Sequence, residues 1–346
     1  PHTREVEFTR RLIDCVPCAE IAMVCNTGTE STLLAWRLMR AATHKPMIAK
    51  FEGCYHGWHD YAQWSVFADA EHMGPADRPH PVAGSAGIPD GAKETVLVLP
   101  LNEHAFELIE EHADRLAGVA IEPVLGGGML TVDPAFLRKL REVTRQNGIL
   151  LHFDEVITGF RLALGGCQEL TGVLPDVATY GKIVGGGLPI GAVACSKKMV
   201  ATAQETDDGF SAAGTFSGNP LTLTTGAAML KHLQDNPQIY PEMRVKGDNL
   251  RGEFNEFCQS KGYPFCMTGI GSMFQIHAKA DLPRTPRELL GQDQGALAEL
   301  QLRFRLNHIL MPWMHLAFFS AVHSEADIDA MLSAFKSSVA GVCDGD

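Results

Sequence analysis

Apolar residues along the chain fall into short continuous bursts, separated by longer stretches in which every third or fourth position is apolar. Ile21-Ala22-Met23-Val24-Cys25 and Met47-Ile48-Ala49-Lys50-Phe51 have strand length, and similar runs lie at 95 to 99, 118 to 122, 149 to 154, 176 to 180 and 190 to 195. The stretch Leu33-Leu34-Ala35-Trp36-Arg37-Leu38-Met39 carries helical spacing instead. Helices are predicted around 29 to 43, 103 to 114, 134 to 147 and 220 to 233. A strand followed by a helix, repeated, predicts an α/β domain with a mostly parallel sheet flanked by helices. This large domain is expected over residues 1–232, and a smaller C-terminal α+β domain over 233–346. Residues 69 to 93, with Pro75, Pro79, Pro81 and Pro89, read as a long loop. Loops of that length tend to be functional, and this one is expected to act as a lid.

Composition narrows the field. A chain of 346 residues with 45% hydrophobic content can bury a large core and divide into two domains. Its net charge of −12 argues against nucleic acid or an anionic membrane as partner. The nine cysteines show no disulfide-framework spacing, no apolar run is long enough for a bilayer, and the opening residues do not read as a secretory signal. A reduced, cytoplasmic setting is expected. Fourteen histidines raise the question of a metal, but Tyr55-His56-Gly57-Trp58-His59 lacks a matching Cys/His set, and no metal site is expected.

Candidate chemistry gathers where strands end. Lys182 follows the run at 176 to 180 and precedes Gly185-Gly186-Gly187. A lysine among apolar neighbours is desolvated, which lowers its pKa and frees the amine that condenses with an aldehyde. Asp154 closes the run Ile149 to Phe153, at the carboxyl end where open α/β sheets place ligands. A carboxylate there would keep a pyridine nitrogen protonated, as an enzyme built on pyridoxal 5′-phosphate (PLP) requires. Each residue also has a plainer reading: Gly-Lys as a surface loop, and Asp154 with Glu155 as the cap of a helix beginning near Thr158. Gly28 and Thr29 open the predicted helix, where free amides and a partial positive charge suit a phosphate, although Thr29 would serve equally as an ordinary N-cap. Tyr55 and His56 sit between two glycines after a strand, placed for stacking on a flat ring or for half-buried packing.

Several motifs in order carry a resemblance. Asp154-Glu155-Val156-Ile157-Thr158-Gly159-Phe160-Arg161, then Gly165-Gly166, then Gly181-Lys182 with the three glycines, resembles the class III PLP-dependent aminotransferases, and within them the glutamate-1-semialdehyde aminomutase-like branch. Asn26-Thr27-Gly28-Thr29-Glu30-Ser31-Thr32 resembles the family's phosphate-binding turn, Phe51-Glu52-Gly53-Cys54-Tyr55-His56-Gly57 its ring-covering segment, and Gly214-Thr215-Phe216-Ser217-Gly218-Asn219-Pro220 the segment that reaches a neighbouring subunit's phosphate. The match runs from about Glu5 to the C-terminus.

The resemblance implies a fold-type I PLP transferase in which Lys182 forms the Schiff base and Asp154 meets the ring nitrogen. It further implies that Gly28 and Thr29 hold the phosphate, that Tyr55 and His56 lie on one side of the ring with Val156 beneath it, and that Glu122 is near the cofactor edge. Val156 is also compatible with ordinary strand packing. Through Thr215 a homodimer follows. The chain departs from the family at Gly126-Gly127-Gly128, where the aminomutase branch commonly has an asparagine, and at His315, where relatives tend to carry glutamate or arginine. His315 and Arg161 are the candidates for a substrate carboxylate, against a structural histidine and an arginine paired with the acidic strand end. Family members carry several tens of residues ahead of this point, so an N-terminal segment is expected to be missing from this sequence. The implied activity is amino transfer between an amino acid or amine, a β-amino acid included, and a keto acid or aldehyde. Aminomutase exchange within one molecule ranks second, because Trp58-His59-Asp60-Tyr61 departs from that pattern. A catalytically idle fold ranks last, because Asp154, Tyr55 and Lys182 occur together.

Overall fold

The structure, a computed structural model, describes residues 2–206, 208–311 and 316–345. The chain forms two compact units: Pro1–Pro123 with Val132–Pro237, and Val124–Thr131 with Gln238–Asp346. The expected boundary between 232 and 233 falls inside the helix Pro220–Asp235, which continues to its end before the chain divides. A short segment at 124–131 also joins the second unit, a long-range pairing that local periodicity does not encode.

In the order of the chain, the strands are β1 (Ile21–Cys25), β2 (Met47–Phe51), β3 (Val96–Leu99), β4 (Leu116–Ile121), β5 (Val124–Leu125), β6 (Leu130–Thr131), β7 (Leu150–Asp154), β8 (Val177–Gly181), β9 (Gly191–Cys195), β10 (Cys266–Ile270), β11 (Met273–His277) and β12 (Ala317–Phe318). Seven form the sheet of the first unit in the order β1-β9-β8-β7-β4-β2-β3. The pairs β8/β7, β7/β4, β4/β2 and β2/β3 are parallel, and β9 runs antiparallel to both neighbours. The reversal follows from the short link between β8 and β9, since a parallel neighbour needs a longer crossover. Both faces of such a sheet are covered, which explains why β2, β4, β8 and β9 are buried throughout. The helix Gly28–Thr43 covers one face, packing Trp36, Leu38 and Met39 against Ile48, Ala117, Ala120, Val177 and Val193.

The second unit carries the antiparallel sheet β10-β11-β12 and the helices Ile239–Lys261, Gln294–Leu306 and Glu325–Asp344. Its core is apolar, with Phe254, Phe274, Phe304 and Phe335 packed together. The β5–β6 hairpin brings the triple-glycine loop into this unit. There the Gly128 amide donates to Gln275 at 3.1 Å, and its carbonyl accepts from the Thr268 hydroxyl at 2.5 Å. Among the described residues no helix is long and apolar enough to cross a membrane.

Candidate active site

Lys182 is the first residue after β8 and opens a single 3₁₀ turn, Lys182–Gly185. Its φ of 51° lies in the left-handed region, uncommon for a side-chain-bearing residue and typical of functional positions. Gly186 follows with φ 60°, and a Cβ there would lie 2.6 Å from the Thr225 carbonyl, so the glycine run lets the turn press against the helix Pro220–Asp235. Lys182 as a residue is exposed, while protein atoms crowd around its amine closely enough to desolvate it. That desolvation pulls its pKa below the ordinary lysine value, opposed by Asp154 and Glu122 and assisted by Arg161. The amine therefore has the depressed basicity that nucleophilic catalysis needs.

Asp154 ends β7 and is 5% exposed. His56 Nδ1 donates to its Oδ2 at 2.7 Å, the Val156 amide to its Oδ1 at 3.1 Å, and the Thr179 hydroxyl to Oδ1 at 3.2 Å. Burial pushes the carboxyl up, and the His56 hydrogen bond, the neighbouring imidazoles and the Val156 amide outweigh it, leaving Asp154 below the usual carboxylate range. Tyr55 is 40% exposed, so its ring is available, and its amide donates to Glu122 Oε2 at 2.7 Å. Glu122 lies just beyond β4, is buried, and ties the Tyr55 segment to the sheet.

At the start of the helix Gly28–Thr43 the cap is Thr27, whose hydroxyl accepts from the Glu30 amide at 3.1 Å. Thr29 therefore lies inside the first turn and is not the cap, which corrects that alternative. The Gly28 and Thr29 amides belong to the first turn, where no intrahelical acceptor exists. Gly57 packs so tightly on Thr29 that a Cβ would come within 2.6 Å of its hydroxyl, and Thr32 Oγ1 donates to the His56 carbonyl at 2.6 Å. Those contacts bind the Tyr55 segment to the helix start. Val156 packs on the same turn, its Cγ1 2.8 Å from where a Gly28 Cβ would lie and 3.2 Å from a Gly181 Cβ. A cavity of about 640 Å³ beside Thr29 is lined by Trp58, His59, Gln63 and Ser85 to Ile88, the end of the expected lid. That loop is anchored, with the Ser65 amide donating to Val82 and the Gly84 amide to Gln63.

Asp154, Val156, Arg161 and Lys182 thus come together with Gly28, Thr29, Tyr55, His56 and Glu122 at the carboxyl ends of β7 and β8. Arg161 is close enough to Lys182 to depress its pKa, and its own is pulled to about 10 by burial. Thr215 lies on the exposed stretch 211 to 216, whose residues Ser211 to Gly214 line a hollow with Cys25, Glu30 and Leu33 at the start of the helix Gly28–Thr43. His315 lies outside the described residues. The plainer reading of Glu155 as a helix cap is replaced by another: its carboxylate accepts from Thr158 Oγ1 and the Cys167 and Gln168 amides, and pins the loop that follows. Sequence reasoning missed Lys50, His152 and Thr179, each a polar residue inside an apolar run. Lys50 is fully buried, donates to the Trp64 carbonyl, and is pulled down to about 8 by burial.

An amine of lowered pKa, a carboxylate held ionised, an exposed aromatic face and a helix N-terminus form the donor set that a phosphorylated pyridine aldehyde needs, and the fold and site define a PLP-type transferase. Residues 1–303 match the family described as aminotransferase class III, and the chain belongs to it. It is 37% identical to a glutamate-1-semialdehyde 2,1-aminomutase of Methanosarcina acetivorans over 340 residues, covering 97% of this chain and 78% of that protein. The solved structure of an omega-transaminase from Sphaerobacter thermophilus superposes with a TM-score of 0.90 at 32% identity, covering 99% of this chain and 79% of that one. A beta-phenylalanine aminotransferase from Variovorax paradoxus gives a TM-score of 0.84 at 29% identity, over 99% and 75%. The protein is an enzyme of this class acting on small molecules, and its cofactor is PLP. Relatives that carry the aminomutase name, at 35–37% identity over nearly the whole chain, favour the second-ranked activity over the first.

Proposed function

We propose that the chain exchanges an amino group within a single amino aldehyde, as glutamate-1-semialdehyde aminomutases do. The observation that carries the chemistry is the pairing of Lys182, its amine made less basic by burial, with Asp154, held ionised by three donors. When bound, PLP supplies an electron sink for negative charge at the substrate carbon. Lys182 anchors the cofactor and carries a proton to and from that carbon. Asp154 would place its charge at the ring nitrogen. Tyr55 would bound the ring on one side and Val156 on the other, and the Gly28 and Thr29 amides would take the phosphate; His56, expected beside Tyr55 on the ring, is fully buried and holds Asp154 instead. Glu122 holds the Tyr55 segment in register, and Arg161 offers a cation near Lys182 for a substrate carboxylate.

The test supplies purified enzyme and PLP with glutamate-1-semialdehyde and no second substrate. Formation of the isomer with its amino group on the adjacent carbon supports the exchange. Product that appears only when a separate amino donor and keto acid are paired supports intermolecular transfer. That second reading draws on the glycines at 126 to 128 and on the likeness to the omega-transaminase. Both readings use a homodimer in which Thr215 completes the neighbouring subunit's phosphate site. Thr215→Ala is expected to weaken PLP retention about tenfold, as loss of a charge-assisted hydrogen bond would, without lowering the melting temperature. Unchanged retention in equilibrium dialysis counts against that role.

A further inference from the structure

Four buried polar groups stand in line where β7 and β8 meet the helix Gly28–Thr43. Trp36, His152 and Thr179 are 0% exposed, and Asp154 is 5% exposed. Trp36 Nε1 lies 3.2 Å from His152 Nδ1, His152 Nε2 lies 2.9 Å from Thr179 Oγ1, and Thr179 Oγ1 lies 3.2 Å from Asp154 Oδ1. His152 and Asp154 share this face because alternate strand residues point the same way.

The donor inventory gives the line a direction. An indole nitrogen only donates, so His152 Nδ1 must accept and its proton must sit on Nε2. Nε2–H then donates to Thr179, whose single hydroxyl proton is left for an ionised carboxylate that only accepts. A protonated His152 would set two N–H groups against each other, so the line also keeps that imidazole neutral. We infer that His152 and Thr179 are positioning residues: a one-way hydrogen-bond chain from Trp36 holds Asp154 ionised and fixed for the cofactor's ring nitrogen. This rests on the reading that Asp154 faces that nitrogen. Burial acts in the same sense on His152, pulling it to about 3, against the pull of Asp154. The other titratable groups around the line are His56, which donates to the second carboxylate oxygen, Lys50 and His59, which lie near His56, and Lys182, Tyr55 and Cys54, which feel the Asp154 charge.

The prediction separates from the functional reading in one sample. In ¹⁵N-histidine-labelled protein incubated with ring-¹⁵N PLP, the His152 resonance, assigned by its loss in His152→Gln, is expected to show the neutral Nε2–H tautomer from about pH 5 to 9. An Nδ1–H tautomer or an imidazolium overturns the chain whether or not cofactor is taken up. Failure of PLP to bind would instead sink the functional reading. In Thr179→Val, Asp154 loses a donor and becomes more basic, so the ring nitrogen resonance moves from the pyridinium toward the pyridine position and turnover falls about tenfold at unchanged KM. Thr179→Ser restores both. Trp36→Phe, which leaves Nδ1 free, is expected to give mixed His152 tautomers. A ring resonance that stays put in Thr179→Val, or that Thr179→Ser fails to restore, overturns the positioning role.

Discussion

Asp154 and Glu155 are adjacent, acidic and buried, yet they lie on opposite sides of the strand end and are held by different groups. Asp154 receives His56 and Thr179 from one face, together with its own Val156 amide. Among the described residues, Glu155 receives Thr158, Gln168 and the amides of residues 167 and 168. For both, burial is the largest influence and raises the pKa. The His56 hydrogen bond and the imidazoles beside Asp154 reverse the sign, while the hydroxyl and amide donors around Glu155 do not, so its pKa stays raised. The difference teaches that a carboxylate becomes a fixed charge or a structural anchor according to what faces it. Asp154 keeps its charge for a ligand, and Glu155 ties the segment 158 to 168 to the sheet.

The comparison can be broken in several ways. Lys182→Ala should have the largest effect, lowering turnover on the order of 10⁴-fold or more and abolishing the absorbance band of bound PLP, with a melt like that of the native protein. A band that survives would remove Lys182 from the chemistry. Asp154→Asn keeps the shape but loses the charge. Turnover should fall on the order of 10²–10³-fold in a product assay, with a smaller loss of stability than truncation of the side chain would cause. Glu155→Ala should do the reverse: four donors lose their acceptor, folding stability drops by about 2–5 kcal/mol in denaturant melts, and the folded fraction keeps its PLP band. Equal losses of stability in the two variants would erase the distinction.

The smallest effect is a matter of pH. A carboxyl whose folded pKa is depressed, as at Asp154, contributes stability that is lost as pH falls through that folded value. Glu155 has a raised value, so its contribution is present below the ordinary 4.5 and is lost as pH rises through the folded value. The stability of the native protein relative to Glu155→Gln should therefore decline with rising pH above about 4.5. The opposite slope would show that Glu155 is depressed like its neighbour. His59 and His152, pulled by burial to about 3 from 6.5, add stability above pH 6.5 that is lost between those values on acidification. Denaturant melts at stepped pH read both slopes.

Much of the first unit was legible in sequence because parallel strands buried on both faces leave continuous apolar runs. The runs at 21 to 25 and 47 to 51 coincide with β1 and β2, and those ending near Asp154 and Gly181 with β7 and β8. Lys182, Asp154 and Tyr55 stood out because glycines or a strand end isolate them. The roles of Trp36, His152 and Thr179 were hidden, since each reads as one residue of a helix or strand, and their meeting spans up to 143 positions between Trp36 and Thr179. Thr27 was passed over for Thr29 because the cap depends on where the backbone turns, which residue type alone does not specify. The sequence by itself determined the alternating architecture, the family and the lysine that bears the chemistry, because these depend on local periodicity and on motifs that survive as strings. Only the tertiary structure decided which of two adjacent acids has its pKa held down and which has it raised, since that is set by donors delivered from distant strands and loops. It also placed Arg161 beside Lys182 and the loop 124–131 with the second unit, contacts that no spacing along the chain contains.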